Sequence, residues 1–336
     1  MSGSIIVFVE LGSGESAGVA DRVSLETLAF ARSLGEGLGG ASVEALLFGT
    51  EAAGVAAGVA RGLGAYGVAT AHVVSDTSIA VAYAPAAWGA ALAELAGARD
   101  AAAVIGPGTD RGAEVLAHAA TRLGVPLAAN AIAATPGASW SITRQRWAGS
   151  LLEDATLDAP VRCLTLAPHA VAVDERAGSP AAAVASFAPT VAASDLIVRV
   201  TGHEPPSKGS ISLTDAKVVV GGGRGVGSSA AFSELEELAE LLGAAIGVSR
   251  VVTSNGWRPH TQQVGQTGQR IAPDLYIACG ISGAIQHIVG CKSAKRILAI
   301  NTDAESPIMA LADYAVIGDL HQVVPAISAE IRRRSG

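Results

Sequence analysis

The sequence lacks a stretch that could cross a membrane as a helix. Such a helix needs roughly 20 strongly apolar residues, whereas the uncharged stretch 77–93 is shorter, rich in alanine, and contains Pro85 and Gly89. The positively charged start of a signal or transit peptide is missing too, because the first cation is Arg22. We therefore expect no targeting segment and no membrane insertion.

Cysteine and positive charge are also scarce. The three cysteines, Cys163, Cys279 and Cys291, have no CxxC spacing, which argues against a zinc site or any other metal centre and against a disulfide framework. Their number is odd, which favours a reducing, cytoplasmic location. The 23 Lys and Arg are outnumbered by 30 Asp and Glu, giving a net charge of −7. Nucleic acid is therefore not an expected partner, because its binders carry basic patches.

The chain is instead rich in small and apolar residues. Hydrophobic types make up 50% of its 336 residues, and 40 residues are glycine. The length fits two domains of roughly 100–200 residues each. Short β-rich runs alternate with alanine-rich helical segments in the first half, and the alternation resumes at residue 217. This pattern predicts an α/β protein of two domains, each with a mostly parallel, doubly wound, Rossmann-like sheet.

The boundary between the two domains is predicted at residues 202–214, which are rich in proline, serine and glycine. We assign residues 1–201 to an N-terminal α/β domain, residues 202–214 to a linker that acts as a hinge, and residues 215–336 to the second domain. Late in the first domain the pattern changes. Three segments there resemble strands, the first two of them hairpin strands: 139–146, 161–166 and 196–200.

A glycine loop opens the second domain. The predicted strand 217–220 runs into the sequence GGGRGVGS and then a helix. Backbone N–H groups and the positive helix end meet in such a unit, which is typical of phosphate binding, although a tight turn would also explain the glycines. A nicotinamide dinucleotide site needs an acidic residue about 20 positions later, and none occurs between Glu240 and Asp274. Four basic residues occupy that stretch instead: Arg250, Arg258, His260 and Arg270. The sequence thus favours an anionic ligand other than NAD.

Further loops carry polar side chains at the ends of predicted strands. VGQTG at 264–268 places glycines around a Gln and a Thr, and GISGAIQH at 280–287 begins a short helix for which Ser282 is the expected N-cap. Ile285 is expected on the buried face of that helix, with His287 near its positive end. In an open α/β sheet, ligands bind at the carboxyl ends of the strands. An ordinary surface turn and a structural histidine are the alternatives.

Together these motifs resemble the α subunit of electron-transfer flavoproteins. The segments GGRG, SR, VGQTG, PDLYIACGISGAIQH, AIN and DYAVIGDL occur in the order and spacing of that family, over about 215–330. The first half matches more weakly, through IVFVE, SLETLAFAR and TRQRWAGSLL. The resemblance implies a FAD-binding C-terminal domain joined to a domain that pairs with a homologous β subunit.

The resemblance also implies contacts along the cofactor. Arg224 and Ser249 would lie at the pyrophosphate and Arg250 at the isoalloxazine ring. The segment 263–267 would touch the flavin, with Thr267 near N5. Its residues are Gln263, Val264, Gly265, Gln266 and Thr267.

The remaining implied contacts follow the last three predicted strands of the chain. The segment 282–287 would wrap the cofactor and place His287 near the flavin O2 edge. Asn301 and Asp319, with the neighbouring Leu320, would hold the adenosine end. The members of the wrapping segment are Ser282, Gly283, Ala284, Ile285, Gln286 and His287.

The function that this resemblance implies is electron transfer without substrate chemistry. Such a carrier accepts electrons from flavin dehydrogenases, for example acyl-CoA dehydrogenases, and passes them to an acceptor such as a membrane quinone oxidoreductase. The alternative is a subunit of an electron-bifurcating flavin oxidoreductase that oxidises NADH. Arg250 and a cationic His287 would both favour negative charge on the flavin and so raise its potential.

Overall fold

The computed structural model describes residues 3–12, 18–49, 53–80, 82–202, 212–214 and 216–335. The chain divides into two compact units, Met1–His203 and Glu204–Gly336. Most of the predicted linker, residues 203–211, lies outside the described residues, so the linker and its hinge role stay predictions. Within the described ranges, no helix has both the length and the apolar character that a membrane crossing requires.

The first unit is built on a nine-stranded sheet. Its strand order is β7-β6-β5-β8-β4-β1-β2-β3-β9, parallel throughout except for the antiparallel pairs β5–β6 and β6–β7. The strands are β1 (Ile5–Phe8), β2 (Val43–Phe48), β3 (Val68–Val74), β4 (Ala103–Pro107), β5 (Leu127–Thr135), β6 (Trp140–Arg146), β7 (Leu151–Leu157), β8 (Arg162–Leu166) and β9 (Ala183–Ser186). The interior strands β4, β1 and β2 are buried along their whole length, as expected for strands covered on both faces.

Helices cover both faces of this sheet. They are α1 (Arg22–Gly37), α2 (Ala53–Gly62), α3 (Thr77–Ala80), α4 (Pro85–Ala98) and α5 (Asp110–Leu123). Local signals set their ends: the Asp21 carboxylate accepts from Val23 N–H at the start of α1, and Pro85 begins α4. Gly124 ends α5 in the left-handed conformation.

Two of the three strands predicted late in the first unit differ from expectation. Residues 139–146 do form a hairpin strand, β6, which pairs with β5 and β7. Residues 161–166 instead form β8, a parallel strand between β4 and β5, because the chain returns to the sheet after the β6–β7 hairpin. The segment 196–200 forms no strand; a 3₁₀ turn, Ala193–Leu196, precedes irregular chain.

The second unit is a five-stranded, fully parallel sheet in the order β11-β10-β12-β13-β14. Its strands are β10 (Val218–Gly222), β11 (Ala245–Val248), β12 (Leu275–Cys279), β13 (Ile297–Asn301) and β14 (Tyr314–Ile317). Its helices are α6 (Ser233–Leu242), α7 (Arg250–Ser254), α8 (Ile285–Cys291), α9 (Pro307–Leu311) and α10 (Leu320–Ser335). Together, the two units confirm the predicted α/β fold class, in which each domain has a mostly parallel sheet.

The three cysteines are free thiols inside the two cores. Cys163 lies in the first unit, and Cys279 and Cys291 lie in the second. Each side chain is fully buried, and burial raises the pKa of each thiol to about 12.

Candidate functional site

The candidate site lies at the carboxyl edge of the sheet in the second unit. Strand β10 is flanked by β11 on one side and β12 on the other, so the direction of winding reverses between β10 and β12. Loops leave such a reversal point in opposite directions and open a crevice there. Every residue that the sequence assigned to the cofactor either ends a strand of this sheet or lies in the segment that follows one.

Glycines let the loops after β10 and β12 meet. Gly223 N–H donates to the Cys279 carbonyl, and Gly225 N–H donates to the Gly280 carbonyl at 3.0 Å. A Cβ on Gly223 would lie 2.2 Å from the Gly280 carbonyl oxygen, and a Cβ on Gly225 would lie 2.7 Å from the Gly280 Cα. Gly280 itself has φ +61°. Only glycine fits where the two backbones cross, so these residues shape the floor of the crevice.

The loop 263–269 is joined to the start of α8. Gln266 N–H donates to the Gln286 carbonyl at 2.7 Å, and Val264 N–H donates to the Val248 carbonyl at the end of β11. Gly265 has φ +145°, and a Cβ there would lie 2.8 Å from the Gln286 carbonyl oxygen. The predicted VGQTG and GISGAIQH segments thus form one surface, on which Gln266 and Thr267 are exposed.

Gln263 lies beneath that surface. Its side chain is 2% exposed, and both ends of the amide are occupied: Oε1 accepts from Thr253 Oγ1 at 2.6 Å, and Nε2 donates to Thr267 Oγ1 at 3.0 Å. Thr253 belongs to α7 and was missed by the sequence interpretation. No periodic pattern marks it, since its role depends on a partner ten positions away.

His287 is buried and uncharged, which differs from the cationic ring expected from the sequence. Its Nε2 lies 2.8 Å from the hydroxyl of Tyr276, a fully buried β12 residue. Burial lowers the pKa of His287 to about 4, against a smaller opposite effect of the Val264 backbone. The Nδ1 atom has no hydrogen-bond partner among the described residues. Tyr276, whose own pKa burial raises well above 10, was not singled out from the sequence.

The buried His287 should make the second unit sensitive to acid. The unfolded chain binds a proton near pH 6.5 and the folded chain only near pH 4, so the free energy of unfolding falls as the pH drops through this interval. From neutral pH to pH 4, this titration lowers the free energy of unfolding by about 3 kcal/mol. His287→Gln should remove this pH dependence. Hydrogen exchange of the amides of 217–335 measures the part of the change that falls between pH 7 and 5. Gln322→Asn, a change at an exposed residue of the same unit that removes no titratable group, is the control and should keep the wild-type pH dependence.

The basic residues of this region divide into two groups. Arg224 and Arg250 are exposed, and neither makes an ion pair or side-chain hydrogen bond within the described part of the chain. Arg258 instead pairs with Glu236 of α6 at 2.8 Å and lies over the Phe232 ring. The sequence grouped Arg258 with the ligand-facing arginines because its partner Glu236 lies outside the acid-free stretch 241–273, on the preceding helix. Two cations therefore stay available next to the crevice.

The start of α8 also differs from expectation. The N-cap position is Ala284 and not Ser282, and the helix begins at Ile285. Ile285 is 72% exposed, although the sequence placed it on the buried face. Gly283 has φ +80° and packs its backbone against Ile308, which turns the chain so that residues 284–286 face outward. An exposed isoleucine at the crevice edge is suited to contact with an apolar ring.

The last three predicted contacts lie at or just after the carboxyl ends of the two strands beyond β12. Asn301 ends β13; its Nδ2 donates to the Ile281 carbonyl at 3.0 Å and its Oδ1 accepts from Asp303 N–H. Asp319 is exposed and accepts from His321 N–H, while Leu320 is buried with its Cδ2 atom beside Gly280. Asn301 therefore braces the loop after β12. No group of three His, Cys, Asp or Glu side chains that could hold a metal occurs among the residues described.

Comparisons with known proteins agree with this location. Residues 212–292 match the family model described as electron transfer flavoprotein FAD-binding domain, and residues 11–192 match the model described as electron transfer flavoprotein domain. Electron transfer flavoprotein subunit alpha of Syntrophomonas wolfei is 35% identical over 97% of this chain and 98% of its own length.

Two further relatives differ in coverage. The protein of the same name from Paracoccus denitrificans is 54% identical over 119 residues, which are 35% of this chain and 39% of that protein. Protein FixB of Clostridium saccharobutylicum is 33% identical over 97% of this chain and 95% of its own length.

Proposed function

Because the chain belongs to the family of electron transfer flavoprotein alpha subunits, we propose that it is an electron carrier for flavin dehydrogenases. Acyl-CoA dehydrogenases are the donors we propose, and a membrane quinone oxidoreductase is the acceptor. The observation that carries the proposal is the glycine-lined crevice between the loops after β10 and β12, inside the segment that matches the FAD-binding domain.

The residues at the crevice fit FAD in shape and charge. The crossing of Gly223 and Gly225 with Gly280 leaves backbone, without side chains, at the crevice floor, where a pyrophosphate can approach closely. Arg224 and Arg250 supply two unpaired cations beside it. We assign Arg224 and Ser249 to the pyrophosphate, Arg250, 264–267 and 282–287 to the flavin, and Asn301, Asp319 and Leu320 to the adenosine end.

FAD, when bound, supplies the redox chemistry, since it can take up and release electrons one or two at a time. The residues of this chain bind the cofactor, orient it and set the electrostatic potential around it. Arg250 keeps its charge at any working pH because a guanidinium does not lose its proton in proteins. His287 contributes an uncharged ring, and the exposed Ile285 covers part of the crevice edge. We therefore propose a carrier and not a substrate-transforming enzyme.

We propose that the β6–β7 hairpin of the first unit contacts the β subunit. Three large apolar side chains on it are strongly exposed: Trp147 (77%), Leu151 (55%) and Leu152 (65%). Trp147 has φ +50°, a conformation that is uncommon for a non-glycine residue and that here accompanies an outward-facing indole. Apolar side chains grouped in this way are typical of a protein interface, and aromatic anchors usually contribute most of its affinity.

Trp147→Asn should weaken the pairing with the β subunit. Asparagine tolerates a positive φ, so the indole is lost without added backbone strain. We expect the dissociation constant of the heterodimer to rise about 30-fold, which corresponds to about 2 kcal/mol. Sedimentation of the mixed subunits measures this change. Ile197→Asn, at a residue 79% exposed outside the hairpin, is the matched control; an equal effect of both variants would contradict the assignment.

The proposed function is tested by the cofactor that the complex carries. The heterodimer should purify yellow and release FAD, not FMN, on denaturation. It should then accept electrons from a reduced acyl-CoA dehydrogenase. Absence of flavin after reconstitution with FAD and the β subunit would refute the proposal. The bifurcating alternative instead requires that NADH reduce the complex, and counting flavins per heterodimer separates the two cases.

A further inference from the structure

Two polar side chains, those of Tyr276 and His287, meet inside the second unit. Tyr276 belongs to β12 and is fully buried, and His287 belongs to α8 and is 6% exposed. The Tyr276 hydroxyl oxygen lies 2.8 Å from His287 Nε2, which is a hydrogen-bond distance. The atom that carries the shared proton can be assigned from the other groups that each side chain can reach.

Tyr276 is the donor of this hydrogen bond. Its hydroxyl has one proton, and within the described part of the chain His287 Nε2 is the one group that accepts it. Burial raises the pKa of Tyr276 well above 10, so the phenol keeps its proton. If Nε2 carried a proton and donated to Tyr276 instead, the phenol proton would be buried without an acceptor, an arrangement that folded proteins avoid.

This direction fixes the tautomer of His287. Burial lowers the pKa of His287 to about 4, so its ring is neutral at working pH. The neighbouring thiols of Cys279 and Cys291 are neutral too, with pKa values of about 12. A neutral imidazole has one N–H group and one nitrogen lone pair. Because Nε2 accepts from Tyr276, the ring proton lies on Nδ1.

The Nδ1 side of the ring faces the loop 263–269. The Val264 backbone raises the pKa of His287, as a carbonyl near a ring N–H does. Nδ1 is buried and makes no hydrogen bond among the described residues, so we take this carbonyl as an electrostatic neighbour only. The two segments pack closely, because a Cβ on Gly265 would lie 3.5 Å from the His287 Cα. An N–H group at Nδ1 suits the Val264 carbonyl, whereas a lone pair there would repel it.

We propose that Tyr276 is a positioning residue that fixes His287 in the tautomer with its proton on Nδ1, and that this tautomer holds the loop 263–269 against α8. The inference rests on the proposed function, because the loop carries contacts that we assign to the flavin. Tyr276 is itself fully buried, so it would act on FAD only through His287.

The tautomer can be measured by nitrogen NMR of the wild-type heterodimer with ¹⁵N-labelled histidine in this chain only. At pH 7 we expect the His287 Nδ1 signal at the shift of a protonated ring nitrogen and the Nε2 signal at that of an unprotonated one. His287→Gln identifies these signals, since it removes one of seven histidines. The opposite pattern, or two tautomers in exchange, would overturn the inference. The measurement does not depend on bound FAD.

Tyr276→Phe removes the donor and keeps the aromatic ring. We expect the His287 Nε2 signal to shift and the FAD dissociation constant of the heterodimer to rise about tenfold, as for the loss of one buried hydrogen bond. Tyr314→Phe is the same change at a residue that is 63% exposed on β14. This control should leave the His287 signals unchanged and bind FAD within about twofold of wild type.

A double-mutant cycle shows whether Tyr276 acts through His287. His287→Leu removes both ring nitrogens and should weaken FAD binding about tenfold or more. Adding Tyr276→Phe should weaken binding no further, because coupled residues are not additive. Losses that multiply in the double variant, or wild-type affinity in Tyr276→Phe, would refute the positioning role. A heterodimer that shows the expected tautomer but binds no FAD would refute the proposed function and leave the tautomer assignment standing.

Discussion

Replacing Gly223 by alanine should weaken FAD binding by about 100-fold or more. The new Cβ would lie 2.2 Å from the Gly280 carbonyl oxygen and 2.8 Å from the Ile281 Cα. Both atoms belong to the backbone, so the loops after β10 and β12 must separate, and overpacking of this kind costs about 1–3 kcal/mol of stability. The same separation widens the crevice in which we place the pyrophosphate, and a 100-fold loss corresponds to about 2.7 kcal/mol.

The effect of the Gly223 substitution is measured by titrating FAD into the reconstituted heterodimer. Gly58→Ala provides the matched control, because a Cβ at that helical position meets no atom within 4 Å. Alanine is a better helix former than glycine, so this control should bind FAD normally and unfold no more easily than wild type. FAD affinity in Gly223→Ala within threefold of the wild-type value would show that the crevice is not the pyrophosphate site.

Replacing Arg250 by alanine should lower the one-electron potential of bound FAD by about 60 mV. We take the guanidinium to favour the added negative charge by about 1.4 kcal/mol, which is a tenfold change in the equilibrium constant of reduction. For a one-electron step this corresponds to about 59 mV. The shift should be the same at pH 6 and pH 9 because the guanidinium stays charged. Spectroelectrochemical titration measures it, and Arg296→Ala, at an exposed residue paired with Asp313, is the control.

The flavin potential of His287→Gln provides a comparison for that of Arg250→Ala. The cationic His287 expected from the sequence would raise the flavin potential, so its replacement by Gln would lower that potential only at a pH where the ring is protonated. Because the ring is buried and its pKa is lowered to about 4, we now expect a smaller shift that does not vary between pH 6 and 9. An unchanged potential in Arg250→Ala, with weaker FAD binding, would mean that Arg250 only holds the cofactor in place.

The location of the candidate site could be predicted because its signals are local in the chain. The glycines at 223, 225 and 280 are required by backbone crossings that recur at strand ends, so their spacing already predicts the carboxyl edge of a parallel sheet. The motif resemblance then supplied the cofactor. The same reasoning predicted β10 and a helix after the glycine loop, which the structure contains as α6.

What the sequence could not predict depends on partners far along the chain. The pairing of β8 with β4 follows only from the position of the whole β5–β7 segment, and Arg258 was assigned to the ligand because Glu236 lies on a preceding helix. His287 was expected to be charged because the burial of its ring against Tyr276 is a tertiary property. The exposure of Ile285 likewise follows from the turn at Gly283 and not from helical periodicity.

The buried thiols allow the opening of each unit to be followed chemically in the same sample. A thiolate is the form that reacts with an alkylating reagent, and burial keeps Cys163, Cys279 and Cys291 protonated with pKa values of about 12. Alkylation near neutral pH must therefore wait until the surrounding core opens. Peptide mass spectrometry would assign modified Cys163 to opening of the first unit and modified Cys279 or Cys291 to opening of the second. The rate at which each cysteine is modified, compared with and without FAD, would then show which unit the cofactor stabilises.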